Sequence, residues 1–235
     1  MRDISEPNQN EADQAEILSA TLQIEISVST DASGLRVVQA DGLGSLVWDG
    51  EETLLVTNNH WGEVLQEKSI VVLYDAQGRM VKTMSGSDFI SRICYLDAGS
   101  LILRSPLEEV EQAQPDIASD PHQVRAGDVV LVAQREGPER KEATLVEAEV
   151  ESVTTFQGVP VFRLKGLEGR PVQGGDSGGG VWYEGSLVGN LWNTIMAEST
   201  RFTLFSLVKL DEAKYEPTDG STAAIVPAGQ LEAIQ

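Results

Sequence analysis

From Ala20 onward the chain alternates, with Leu22, Ile24, Ile26 and Val28 apolar and Gln23, Glu25 and Ser27 polar between them. A two-residue period turns one face of an extended segment toward a core and the other toward water, so the pattern predicts a half-buried strand. Short strands then follow one another. Leu43 to Trp48 and Thr53 to Thr57 flank Asp49-Gly50-Glu51-Glu52, and Ser69 to Tyr74 and Met80 to Met84 flank Asp75-Ala76-Gln77-Gly78. Turn residues between apolar runs predict two hairpins. Ile90 to Leu96 and Leu101 to Leu103 complete a first series. Residues 105–122 run from Ser105-Pro106 through Glu108-Glu109 and Pro115 to Pro121-His122, and their polarity and prolines predict a connection. A second series comprises Val129 to Gln134, Ala143 to Val153, Val159 to Leu164, Val181 to Tyr183 and Leu187 to Trp192. Helical periodicity is confined to Gln230 to Ile234 and, weakly, to His60 to Leu65.

Short strands with turn signals about every 8 to 12 residues predict a sandwich or barrel. The expectation is an all-β protein of two six-stranded antiparallel β-barrels with a short C-terminal helix. The first barrel would occupy about 18–104 and the second about 123–235. Residues 1–17 are acidic and amidic, with few large apolar side chains, and read as a disordered tail.

Composition narrows the class of protein. With 235 residues and 41% of them hydrophobic, the chain has ample apolar content for a buried core. A net charge of −20 argues against nucleic acid and anionic membrane as partners, because either polyanion would be repelled. Cys94, the single cysteine, lies in Ile93-Cys94-Tyr95-Leu96 and reads as a core residue. No run approaches the roughly 18 apolar residues of a membrane span. Met1-Arg2-Asp3 leads into polar sequence without a signal-peptide core, so a reducing, cytoplasmic setting is expected.

Chemistry concentrates in Gly174-Gly175-Asp176-Ser177-Gly178-Gly179-Gly180. Five glycines around one acid and one hydroxyl disfavour helix and regular strand alike, since glycine costs about 1 kcal/mol in either. The stretch predicts a loop feeding a hairpin, with inward-turned amides that suit an oxyanion site. A serine hydroxyl needs a base within hydrogen-bond reach, usually a histidine oriented by a carboxylate. Of the two histidines, His122 lies among Asp120, Pro121 and Gln123 and reads as a solvated loop residue. His60 follows the apolar run Leu54 to Thr57, where a strand end can present it. Gly175 to Gly179 formally fit the nucleophile elbow of α/β-hydrolases, but that fold needs a histidine after the serine, and none follows Ser177. The subtilisin order requires long helices that the pattern lacks. The order His, Asp, Ser on two β-barrels remains.

These residues resemble the trypsin/chymotrypsin-type serine proteases. Gly175-Asp176-Ser177-Gly178-Gly179 is similar to that family's nucleophile signature. Within the family, bacterial HtrA/Deg-type protease domains are the nearest likeness. Gly42-Leu43-Gly44-Ser45-Leu46-Val47, then Asp49-Gly50 and Val56-Thr57-Asn58-Asn59-His60, resembles their approach to the catalytic histidine, and Val124 to Val130 resembles the start of their second barrel. The likeness spans roughly residues 40–235. HtrA-type enzymes usually have Asn where Asp176 stands and a PDZ domain after the protease; no PDZ domain is expected here. In secreted trypsin-like enzymes the corresponding acid is tied to a new N-terminus; no Ile-Val-Gly-Gly activation site or disulfide set is present here.

The resemblance implies a serine endopeptidase acting on polypeptide substrates without metal or cofactor. Ser177 would be the nucleophile, His60 the general base and acid, and Asp97, in Leu96-Asp97-Ala98-Gly99-Ser100, the orienting acid. Asp88 is the rival for that last role. The N–H groups of Gly175 and Ser177 would form the oxyanion hole. The primary pocket would draw its base from Pro171 and Val172 and one wall from Trp192, Asn193 and Thr194. Its final wall would come from Thr203 to Val208 or from Thr222 to Pro227; the second is preferred, which would make 195–219 an extra hairpin. The alternative to an endopeptidase is a latent or inactive protease-fold module that binds a partner protein and is switched on, if at all, only in the complex.

Overall fold

The computed structural model describes residues 9–29, 36–59, 61, 64–96, 99–107, 114–118, 120, 123–136, 139, 141–156, 159–165, 170, 172–197 and 200–207. His60, Asp97, His122, Pro171 and the predicted C-terminal helix lie outside them. The described chain is all-β but for two short helices: α1 (Gln9–Ser19), β1 (Thr21–Ser29), β2 (Arg36–Trp48), β3 (Thr53–Asn58), β4 (Ile70–Tyr74), β5 (Met80–Ser85), α2 (Gly86–Ile90), β6 (Ile93–Leu96) and β7 (Ser100–Arg104). The second half contains β8 (Val129–Glu136), β9 (Glu142–Phe156), β10 (Val159–Lys165), β11 (Gly180–Tyr183), β12 (Ser186–Ala197) and β13 (Thr200–Leu207).

The first half is one antiparallel sheet in the order β5-β4-β1-β2-β3-β7-β6. It has seven strands, where a six-stranded barrel was expected, and its edges β5 and β6 do not pair with each other among the described residues. The apolar run expected as a strand from Ile90 begins three residues later. Ser85 caps α2 by accepting from the Asp88 amide, and this turn separates β5 from β6. The second half is a closed six-stranded barrel, β10-β13-β12-β11-β8-β9. Its closing strand is Thr200–Leu207, which pairs with β10 on one side and β12 on the other. Residues 195–197 and 200–207 of the segment expected as an added hairpin thus belong to the barrel itself, while 208–219 and Thr222 to Pro227 lie outside the described residues. Phe202, Leu204 and Leu207 alternate only loosely, so sequence pattern gave that strand little weight.

Strands β2, β3 and β7 are buried on both faces, and their alternation divides two cores. Leu46, Leu55, Leu101 and Leu103 join Ile24, Ile26 and Phe89 inside the first half. Val47, Leu54, Val56 and Ile102 face the other way and pack on Trp182 and Leu187 of the second half. The second barrel keeps its own core around Val132, Val150, Phe162 and Val188. Helix α1 adds to the seam between the halves: Ile17 is 1% exposed and sits in the Trp182 cluster. The described part of the expected tail, from Gln9, is thus helical and anchored, because one apolar side chain finds a ready-made cleft.

Residues 114–118 thread between the halves. Trp48 N donates to Pro115 O at 2.9 Å and Ile117 N to Trp48 O at 3.2 Å, while Leu187 N donates to Asp116 O at 3.0 Å and Ala118 N to Leu187 O at 2.9 Å. The connection is short strand-like bridges to β2 and to β12.

Candidate active site

The glycine loop sits on the seam. Asp176 N donates to Gln173 O and Gly179 N to Asp176 O, giving two successive tight turns, with Gly175 at φ 89° and Gly178 at φ 84°. Gly178 is fixed by contact as well as by conformation, since a Cβ there would lie 2.2 Å from Leu43 O. The loop is bonded to both halves: Leu43 N donates to Ser177 O at 2.8 Å, and Gly178 N donates to Leu191 O at 2.9 Å. Gly42 lets this approach happen, because a Cβ on it would meet Ser177 O at 2.7 Å and the Trp61 ring at 2.9 Å.

Ser177 is half-buried. Among the described residues, no acceptor takes the amide N–H of Gly175 or of Ser177. Two amides in one turn, flanking a buried acid and unclaimed by described neighbours, form an arrangement that can donate to an incoming oxygen.

Asp176 is 1% exposed, and its carboxylate is held by main-chain donors. Arg135 N donates to Oδ1 at 2.9 Å and Gln173 N to Oδ2 at 2.8 Å. The acid that in the family resemblance awaits a chain terminus is here satisfied from β8 and from its own loop. The Arg135 guanidinium continues outward, its Nη1 paired with Asp41 Oδ2 and its Nη2 donating to Gln23 Oε1 at 3.2 Å.

The strand ends that neighbour positions 60 and 97 in sequence converge on the same place. Asn58, two residues before His60 in sequence, donates from Nδ2 to Leu191 O at 3.1 Å. Gly99 and Ser100, which follow Asp97, meet Asn190: its Nδ2 donates to Gly99 O at 3.2 Å and to Thr57 O at 3.3 Å, and Ser100 Oγ donates to its Oδ1 at 3.0 Å. Asn190 is fully buried and follows Gly189 in β12, one strand from Gly180. Sequence reasoning passed over it, although a lone amide in the apolar run Leu187 to Leu191 is a signal of a buried polar hub.

Asp88 is elsewhere. It lies exposed in α2, with Ser85 Oγ donating to its Oδ2 at 2.7 Å, and so serves as part of a helix cap. Of the predicted pocket residues, Val172 packs on the second-barrel core. Trp192, Asn193 and Thr194 lie in β12, whose pairing with β13 shifts register between Leu191 and Asn193. Cys94 is buried in the seam cluster, and burial pushes its thiol up to about 11. A thiol so raised is protonated at neutral pH, and the thiolate is the nucleophilic form. No helix among the described residues is long and apolar enough to cross a membrane. Comparison with protein-family models gives no match, and comparison with curated proteins gives none.

Proposed function

We propose that this chain is a serine endopeptidase built on a seven-stranded sheet and a closed six-stranded barrel, with Ser177 as nucleophile, His60 as general base and acid, and Asp97 as the orienting acid. The observation that carries the reading is the loop itself: a half-buried serine in a double turn, with the Gly175 and Ser177 amides taken by no described acceptor. The convergence of Asn58, Gly99 and Ser100 on Asn190 and Leu191 supports it, because these residues flank positions 60 and 97 in sequence.

In this mechanism His60 takes the Ser177 proton as Oγ attacks a peptide carbonyl, and Asp97 holds the imidazole tautomer and stabilises the imidazolium. The carbonyl oxygen gains negative charge and is received by the two amides; loss of one such donor typically costs roughly 3 to 4 kcal/mol of barrier. His60 then protonates the leaving amine, and water attacks the acyl-enzyme to free the acid and Ser177. Each step is acid–base and nucleophilic chemistry of side chains, with no cofactor in the scheme.

Labelling by a fluorophosphonate probe tests the proposal. Wild type is expected to label and Ser177→Ala and His60→Ala to fail while remaining folded. Folding of Ser177→Ala is expected because the described hydrogen bond of Ser177 uses its carbonyl, not its hydroxyl. Well-folded wild type that does not label would overturn the endopeptidase reading in favour of the partner-binding module.

A further inference from the structure

We infer that Arg135 and Asp41 are positioning residues that set the oxyanion turn, so that the turn is assembled by docking of the two halves. Three observations meet at this point. The Arg135 main chain holds the buried Asp176 carboxylate, as described. Its guanidinium lies directly beneath Gly175: a Cβ at that glycine would stand 2.9 Å from Nη1, and 3.2 Å from Asp41 Oδ2. Among the described residues the guanidinium is in turn anchored by groups of the first half, Asp41 on β2 and Gln23 on β1.

Gln23 extends the chain of contacts. It is 2% exposed, and its Nε2 donates to Lys141 O at 2.5 Å and to Asp75 O at 3.2 Å. Ala143 N donates to Ala76 O at 2.7 Å beside it, so the turn after β4 and the start of β9 are joined here. Separation of the halves on this side would remove both acceptors of the Arg135 fork at once. Gly175, whose left-handed conformation aims one of the two amides that no described acceptor takes, would lose the surface it rests on. An Arg side chain suits this task because its planar fork serves two acceptors in fixed geometry, which a lysine ammonium cannot do equally well. Asp41 is 43% exposed, so added salt should weaken the pair and loosen the turn.

The catalytic meaning of this inference rests on the reading of Ser177 as nucleophile, but its structural content does not. Amide ¹⁵N relaxation on the full chain separates the two. In wild type the Gly175 and Ser177 amides are expected to be as ordered as those of β12, with order parameters of about 0.85, and to fall below about 0.6 in Arg135→Met and Asp41→Asn. Arg135→Lys should give intermediate values. Asp41→Asn, on a partly exposed side chain, serves if Arg135→Met does not fold. Equal order in wild type and a folded variant would overturn the inference. If wild type also reacts with the fluorophosphonate, both variants should label at least about tenfold more slowly, since the donors are misplaced. Unchanged labelling rates would likewise overturn it. A wild type that fails to label, with the turn still loosened in the variants, would remove the endopeptidase reading and leave the positioning role standing.

Discussion

Replacing Asn190 by alanine should reveal what holds the two halves in register at the candidate site. The side chain is fully buried and, among the described residues, makes hydrogen bonds to Thr57 O, Gly99 O and Ser100 Oγ. At a net value of about 1 kcal/mol each these amount to about 3 kcal/mol. A loss of about 3 kcal/mol is therefore expected, at the upper end of the usual effect of a point mutation. Equilibrium urea denaturation followed by tryptophan fluorescence measures it. Ser100→Ala should cost less, and the double variant should fall short of the sum, because both changes delete one shared bond. A loss below about 1 kcal/mol would refute the reasoning, since it would mean that water replaces the amide and that the strand ends at Thr57 and Gly99 are held by other means.

Three further outcomes follow from the same geometry. Asn190→Asp would set a carboxylate against two carbonyl oxygens and raise its folded-state pKa. Relative to wild type, its stability should be retained below the unfolded value near about 3.9 and lost as pH rises, read from urea midpoints at several pH values. Gly178→Ala would force a side chain into the left-handed region at φ 84°, 2.2 Å from Leu43 O and 2.5 Å from Thr57 Oγ1. The expected loss is about 2 to 5 kcal/mol together with fluorophosphonate labelling, and wild-type-like stability would contradict the packing described. The Cys94 thiol, raised to about 11, should ignore Ellman's reagent at pH 8 in the folded chain and react fully in denaturant. Because its folded value is raised, its contribution to stability should be complete below the ordinary thiol range and lost as pH climbs through 11.

Local periodicity made most strands legible. Leu22 to Val28 and Thr53 to Thr57 carry their structure in their own alternation and flanking turns, and the glycine run announced its loop because few other structures tolerate it. What escaped depended on partners far away in the chain. Ile17 is one apolar residue in an acidic segment, and only the cleft beside Trp182 explains its burial. The satisfaction of Asp176 by Arg135 joins residues 41 positions apart through a main-chain donor, which no side-chain pattern records. The short helix over Gly86–Ile90 was hidden because Phe89 and Ile90 run on into Ile93 to Leu96, and only the Ser85 and Asp88 cap marks the break. Between the two candidate acids, sequence likeness favours Asp97, and Asp88 is engaged in the cap of α2.

The threading of Pro115 to Ala118 between Trp48 and Leu187 also bears on how the molecule reaches its native state. Each bridge joins chain segments about seventy residues apart, so neither can form until a large loop has closed on both sides. The sheet and the barrel can condense around their own cores first, and the segment can order only once both are present. Refolding is therefore expected to end in a slow docking phase, visible as late recovery of Trp182 burial after most strand signal has returned. Any activity of Ser177 should reappear with that last phase and not with the formation of either half.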